Sequence, residues 1–450
     1  MPDKITKKKL NRIIDKIVDV SSRALGGSVL LLLAHFGVMS QAQARIHDHS
    51  EQSEFNLSVN GFGTLGLVRN SSDELYFHRE LSMNASDSEY SFKTDSLLGL
   101  QVNADLTESL DAIAQLVLKD RASDMALDSL ELLFLRYRPN RDWAIRLGRT
   151  NTDLYIHSEY RNVSYAYLWS RPIPEFYAIT SVIAKIDGVD ISYTHNLEGG
   201  TWETKLAYGV THSVLAVQAN RFEIDIKNVF ALTSIYTWDE WTFRLAAAAV
   251  EVDELDFLSN DVVDGLNLVP DTLWPEASKM AQDIDGPGQK LQYYALGLQY
   301  DHMNWVIQSE LGYVDSDWGI IQSFYNGYLS VGYRVDEMTF YGVLANIDNS
   351  GEPTSYASPQ LPAHFPLQLT AQINALYEGA LEAFTSSKIE QTSLSLGMRW
   401  DLYPNTCIKF QWDHIWIDQR SAAMWTQVQE QVGDTEVDLL SVNFSFIFNL

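Results

Sequence analysis

The chain has 450 residues, 59 acidic and 32 basic, for a formal net charge of −27 at pH 7. Such an acidic balance excludes a nucleic-acid partner, which needs a basic footprint. The single cysteine, Cys407, rules out an intrachain disulfide, while the 12% aromatic content and only 12 prolines suit strands.

Residues 1–44 read as a secretory signal. Lys4, Lys7, Lys8, Lys9, Arg12, Lys16 and Arg23 make a basic leader, and 24–38 is a short apolar stretch. Ala42-Gln43-Ala44 supplies the small residues of a cleavage site. The apolar stretch is shorter than the ~20 residues that a spanning helix needs. Cleavage is therefore expected after Ala44, with residues 45–54 left as a short periplasmic tail. The new terminus would be Arg45-Ile46-His47. A free amine, two amide nitrogens and the His47 imidazole can form a square-planar site suited to Cu(II) or Ni(II). A plain polar tail is the simpler expectation, so no cofactor is predicted.

From residue 55 onward, alternation and turn chemistry mark sixteen strands. They lie near 55–68, 91–105, 110–119, 129–138, 143–149, 183–195, 201–209, 228–237, 241–250, 291–301, 305–314, 323–335, 338–347, 389–402, 406–416 and 437–449. The connections are sorted by length. Seven are very short: 106–109, 139–142, 196–200, 238–240, 302–304, 336–337 and 403–405. Eight are longer: 69–90, 120–128, 150–182, 210–227, 251–290, 315–322, 348–388 and 417–436. Short and long alternate throughout, as in a transmembrane β-barrel with tight turns at one rim and long loops at the other. An even strand count puts both termini on the periplasmic side. Trp and Tyr gather at the short turns, for instance Tyr137 and Trp143, Trp238 and Trp241, Tyr300 and Trp305. Such a girdle belongs at a membrane interface.

The last strand closes the chain with Leu440, Val442, Phe444, Phe446, Phe448 and Leu450 on one face. Ser441, Asn443 and Ser445 lie on the other. A free aromatic edge invites aggregation, and pairing with the first strand removes it. The fifth long loop, 251–290, is rich in acids and is expected to be a solvated acidic face.

On these residues the chain resembles the Gram-negative trimeric porins over nearly its whole length after the leader. The terminal Phe444-Ser445-Phe446-Ile447-Phe448-Asn449-Leu450 looks like their final strand, which the barrel assembly machinery reads, although porins usually end on Phe. Pro174-Glu175-Phe176 is similar to a porin element on the third long loop, where the family continues with glycines and this chain has Tyr177 and Ala178. The resemblance implies an all-β, sixteen-stranded, up-and-down antiparallel barrel over 55–450 with the third long loop folded into the lumen. It also implies a homotrimer in the outer membrane, in contact with lipid and lipopolysaccharide, and passive diffusion of small hydrophilic solutes and ions. A substrate-selective channel is the alternative. An outer-membrane barrel enzyme is a weaker one, since no G-x-S-x-G or H-E-x-x-H occurs.

The pore chemistry follows from alternation. Lys119, Arg146, Arg244 and Lys409 fall opposite apolar, outward positions and so point inward. The third loop offers Asp153, Glu159 and Glu175. The expected constriction sets Glu159 and Glu175 against Arg146 and neighbouring basic groups, so that a transverse field orients dipolar solutes and disfavours apolar ones.

Overall fold

In the computed structural model, described over residues 56–217, 220–256, 259–350, 355–362, 364–386, 388–418, 424–427 and 435–450, sixteen long strands close into one antiparallel barrel. They are β1 (Asn56–Asn70), β2 (Leu97–Asp105), β3 (Leu110–Lys119), β4 (Leu130–Tyr137), β5 (Trp143–Asn151), β6 (Lys185–Leu197), β7 (Gly200–Val217) and β8 (Asn220–Trp238). The rest are β9 (Trp241–Asp256), β10 (Lys290–His302), β11 (Trp305–Ser316), β12 (Phe324–Val335), β13 (Met338–Asn349), β14 (Gln391–Tyr403), β15 (Thr406–Ile417) and β16 (Thr435–Asn449). The expected signal segment, its cleavage site, the tail and His47 lie outside the described residues. No helix among the described residues is long and apolar enough to cross a membrane.

The barrel closes where the terminal strand predicts. β16 pairs with β1 from Asn60↔Asn449 to Asn70↔Leu439, and with β15 on its other side. Leu440, Val442 and Phe444 are exposed on the outside, while Ser441, Asn443 and Ser445 are buried on the inside. The seam carries paired glycines and phenylalanines. Gly61 faces Phe448 and Gly63 faces Phe446. A Cβ on Gly61 would fall 2.1 Å from the Phe448 ring, so the ring lies over bare backbone. This aromatic cover of strand glycines helps pin the register.

The short turns are tight because their residues accept left-handed backbone. Asp239, Met303, Asp336 and Asn405 have φ of 48°, 50°, 53° and 71°. Each sits in a two-residue link such as Trp238↔Trp241. At Asp239, Met303 and Asp336 the first linking residue carries the positive φ, as in the primed turns that match the twist of the strands they join. Aromatic pairs flank the same rim: the ring centroids of Trp143 and Tyr193 lie 4.7 Å apart, and those of Trp241 and Tyr300 4.5 Å. The outer wall between the rims is mostly apolar, with Leu, Phe, Trp and Tyr at its exposed positions. Arg149, on the Leu147 face, is tied twice to Asp187 at 2.7 Å.

Two expectations about the long loops need correcting. Residues 210–227 are not a loop: β7 and β8 run on as a long hairpin with only 218–219 between them. Here the alternation is turned round: Phe222, Ile224 and Ile226 are buried and alternate with Glu223, Asp225 and Lys227, so the outer face of this part of the hairpin is charged. A bulge at Asn228, with φ 52°, bends it. The fifth loop folds as two helices, Ser259–Asn267 and Ala277–Ile284, beside the 20-residue helix Leu367–Ser386. Its acids Asp261, Asp264 and Asp271 do stay exposed, but Leu266, Trp274, Met280 and Ile284 are buried. Trp274 meets Tyr377 edge-on at 5.7 Å, and Tyr356 stacks on Phe384 at 5.0 Å. This helical cap belongs to one continuous apolar cluster that also contains the wall residues Val252, Tyr293, Val314 and Phe324.

Candidate pore constriction

The third long connection, 152–184, leaves β5 and turns into the barrel before rejoining β6. Its path is held by wall side chains that stop it from hanging free. Arg171 is buried and forks onto Asp95, with Nε–Oδ1 and Nη2–Oδ2 both 2.9 Å, while Nη1 reaches Asp413 Oδ2 at 2.8 Å. A bidentate guanidinium fixes direction as well as distance. Lys409 donates to the carbonyl oxygens of Tyr167 and Trp169, each at 2.7 Å, and to that of Ser164. Trp169 Nε1 donates to Ser330 Oγ at 2.8 Å. The one-turn helix Pro174–Tyr177 lies against β12 and β13, and the Asn326 amide donates to the Glu175 carbonyl at 3.1 Å.

The buried side of this loop is aromatic. Tyr155, Trp169, Phe176 and Tyr177 join the apolar cluster that continues into the helical cap. His157 sits among them, and Gln308 Nε2 donates to its Nε2 at 2.8 Å. Burial pushes the His157 pKa down to about 3, and accepting from Gln308 holds the ring in its neutral form. The ring is therefore neutral at ordinary pH.

The other side faces a charged wall. Arg146 on β5 binds Asp190 through Nε at 2.8 Å and Glu159 through Nη1 at 3.0 Å. Lys205 on β7 reaches Asp153 at 2.8 Å and Glu159 at 3.2 Å. Arg244 on β9 reaches Asp153 at 2.7 Å. Glu159 keeps 43% of its side chain exposed and Arg146 keeps 12%, so this group touches solvent. Burial alone would raise the Asp153 pKa, but the Arg244 and Lys205 charges outweigh it and bring it to about 2. The same contest, won by Lys205 and Arg146, lowers Glu159.

Arg146, Asp153, Glu159 and Arg244 are thus brought into one network. The other three candidates lie elsewhere. The expected pairing of Glu175 with Arg146 is not formed: Glu175 is buried and accepts from Gln391 Nε2 at 2.8 Å, on β14 across the barrel from β5. Lys409 is fully buried under loop carbonyls and anchors the loop. Lys119 does point inward, but beyond the network, where it meets Glu80 at 2.9 Å and Asn162 at 3.3 Å. Sequence reasoning passed over Lys205 and Asp190. Both alternate with outward residues, Lys205 with Thr204 and Leu206, and Asp190 with Val189 and Ile191. The facing argument used for Arg146 would have found them. Arg171 offers no such signal, because a loop has no period.

The chain matches no protein-family model and no curated protein sequence. Among solved structures it is similar to an anion-selective porin from Comamonas acidovorans, at 14% identity and a TM-score of 0.50 over 88% of this chain and 100% of that one. Looser similarity joins it to the outer membrane channel DcaP of Acinetobacter baumannii, at 10% identity and a TM-score of 0.48 over 87% and 97%. The same holds for OmpF of Salmonella typhi, at 12% identity and a TM-score of 0.48 over 87% and 97%. Identities this low speak to fold alone. The strand count, the closed antiparallel register and the Comamonas likeness agree that the chain is built on the sixteen-stranded barrel of bacterial outer-membrane porins.

Proposed function

We propose that the chain is an outer-membrane porin, a water-filled channel for passive diffusion of small hydrophilic solutes and ions, and that it catalyses no bond chemistry. The observation that carries this reading is the half-hydrated charge network of Arg146, Glu159, Lys205 and Asp153 inside a barrel with an apolar exterior. An Arg or Lys facing lipid at mid-bilayer costs roughly 2–4 kcal/mol, whereas inside a wet lumen it stays hydrated. Fixed charges of both signs across a narrow path orient the dipole of a passing solute and its water. An apolar solute gains nothing from that field and must still be dehydrated.

Residues 1–44 would direct export and be removed. The short turns and both termini would face the periplasm, with the acidic long loops outside, where divalent cations can bridge them to lipopolysaccharide phosphates. A homotrimer follows from the family resemblance. The test is single-channel conductance of the refolded, heat-modifiable protein in a planar bilayer, with cross-linking to read the oligomer. Ohmic steps in salt solution are expected. A folded barrel that passes no ions would sink the reading.

A further inference from the structure

The first long loop, between β1 and β2, packs inward as well. His78, Arg79 and Glu80 are all buried. Glu80 Oε2 lies 2.9 Å from Lys119 Nζ and 3.3 Å from Arg161 Nη2. Beside these groups, at the long-loop end of β3, β4, β6 and β7, is a cavity of about 40 Å³. One water needs about 10–15 Å³ on this measure, so the space suits a few waters or one small ion.

The lining is unevenly paired. Lys119, Arg121, Arg161 and Lys185 supply the cationic groups, and Glu80, Asp128 and Glu131 the acids. Glu80 is taken by Lys119 and Arg161, Glu131 by Arg121, and the Asp128 carboxylate by the Ser123 hydroxyl. Lys185 reaches only the Asp128 carbonyl oxygen, at 3.3 Å. Among the described residues no carboxylate comes within 4.0 Å of its ammonium. Three further polar groups of the lining, Arg121 Nε, Arg161 Nε and Ser181 Oγ, are buried without a hydrogen-bond partner. His212, also in the lining, spends Nδ1 on Asp225 at 2.8 Å. In a chain of net charge −27, a small cavity with an unpaired ammonium and spare N–H and O–H donors is out of character for mere solvation.

We propose that this cavity binds a small oxyanion of the carboxylate class, and that it is the point at which the channel selects its solute. A carboxylate brings two oxygens that can accept several donors at once, and guanidinium groups match its geometry. A halide brings one centre. The selection half of the proposal rests on the channel reading above, whereas the binding half does not.

Two measurements separate them. The refolded protein in detergent micelles is titrated with ¹³C-acetate, and in parallel with inorganic phosphate and chloride, and bound ligand is followed by NMR. Saturable acetate binding is expected. Lys185→Gln should weaken it about tenfold, the worth of one charge-assisted hydrogen bond, while Lys185→Arg should largely restore it. Ser181→Ala is a second, milder variant if Lys185→Gln does not fold. In bilayers, acetate should reduce the chloride current of the parent protein, and less so that of Lys185→Gln. Absence of saturable acetate binding, equal binding by parent and Lys185→Gln, or preference for phosphate or chloride would overturn the site. Acetate binding by a protein that passes no current would leave the site standing and refute the channel reading instead.

Discussion

On the β11–β15 side of the lumen the third loop meets the wall through rings and fixed hydrogen bonds. Trp169, Phe176 and Tyr177 pack into the cluster that reaches the helical cap, and Arg171 and Lys409 are spent on anchoring. On the β3–β9 side the same loop meets Arg146, Lys205, Arg244 and, past Asn162, Lys119, and solvent reaches part of this group. One loop therefore has two jobs on two faces. The dry face holds it still, and the wet face holds charges that solvent reaches in part. Charges on the dry face are satisfied by protein alone, whereas on the wet face Glu159 keeps 43% of its side chain exposed; on the proposed channel reading it is this face that would act on a solute.

The largest test of this contrast is Arg171→Met. It leaves Asp413 buried without its cation and Asp95 with only Arg79, 3.8 Å away, which costs about 3–5 kcal/mol for a broken buried pair. A matching fall in the urea midpoint of the refolded barrel in lipid vesicles is expected, together with noisier conductance as the loop loosens. A loss near zero would mean that the loop is held elsewhere.

Acid comes next. His157 has a folded pKa of about 3 against its usual 6.5, so between those values the unfolded chain binds the extra proton. Stability from the neutral ring is full above pH 6.5 and drains as pH falls toward 3, by up to about 1.4 kcal/mol per pH unit. Asp153, at about 2 against its usual 3.8, adds a second loss below pH 3.8. Urea midpoints measured from pH 7 to pH 4 should fall for the parent protein and fall less steeply for His157→Gln, where His78, pushed down to about 4 by burial, still drains stability over this range. A parallel slope in both would show that the ring is not buried neutral.

Trp169→Phe removes the hydrogen bond to Ser330 Oγ and part of a buried indole, which together should cost about 2 kcal/mol and leave ion selectivity alone. Glu159→Gln should do the reverse. Its carboxylate is half-exposed, so stability should move by less than about 1 kcal/mol. Arg146 and Lys205 lose a counter-charge, so the anion-to-cation permeability ratio, read from the reversal potential in a salt gradient, should rise. If Trp169→Phe shifts selectivity and Glu159→Gln shifts stability, the division of labour between the two faces is wrong.

The barrel was legible in the chain and the constriction only partly so. Alternation places Ser441, Asn443 and Ser445 inside and Leu440, Val442 and Phe444 outside without reference to any other residue. It also turns Lys409 inward correctly. It cannot say that Lys409 meets backbone carbonyls from residues 164–169, more than two hundred positions earlier. Glu175 shows the same limit: its loop was identified from the strand count, but its partner Gln391 lies far along the chain. The hairpin over 210–227 was missed although Phe222, Ile224 and Ile226 alternate with Glu223, Asp225 and Lys227, because here the apolar face is the buried inner one, the reverse of the order in the rest of the wall.

By itself the sequence determined strand number, seam and facing, because a strand's side chains alternate for local steric reasons that each segment carries alone. Only the tertiary structure decided which inward charges anchor the loop and which meet water. An ion pair is a relation between two distant residues, and it exists only once the barrel has closed and the loop has chosen a wall.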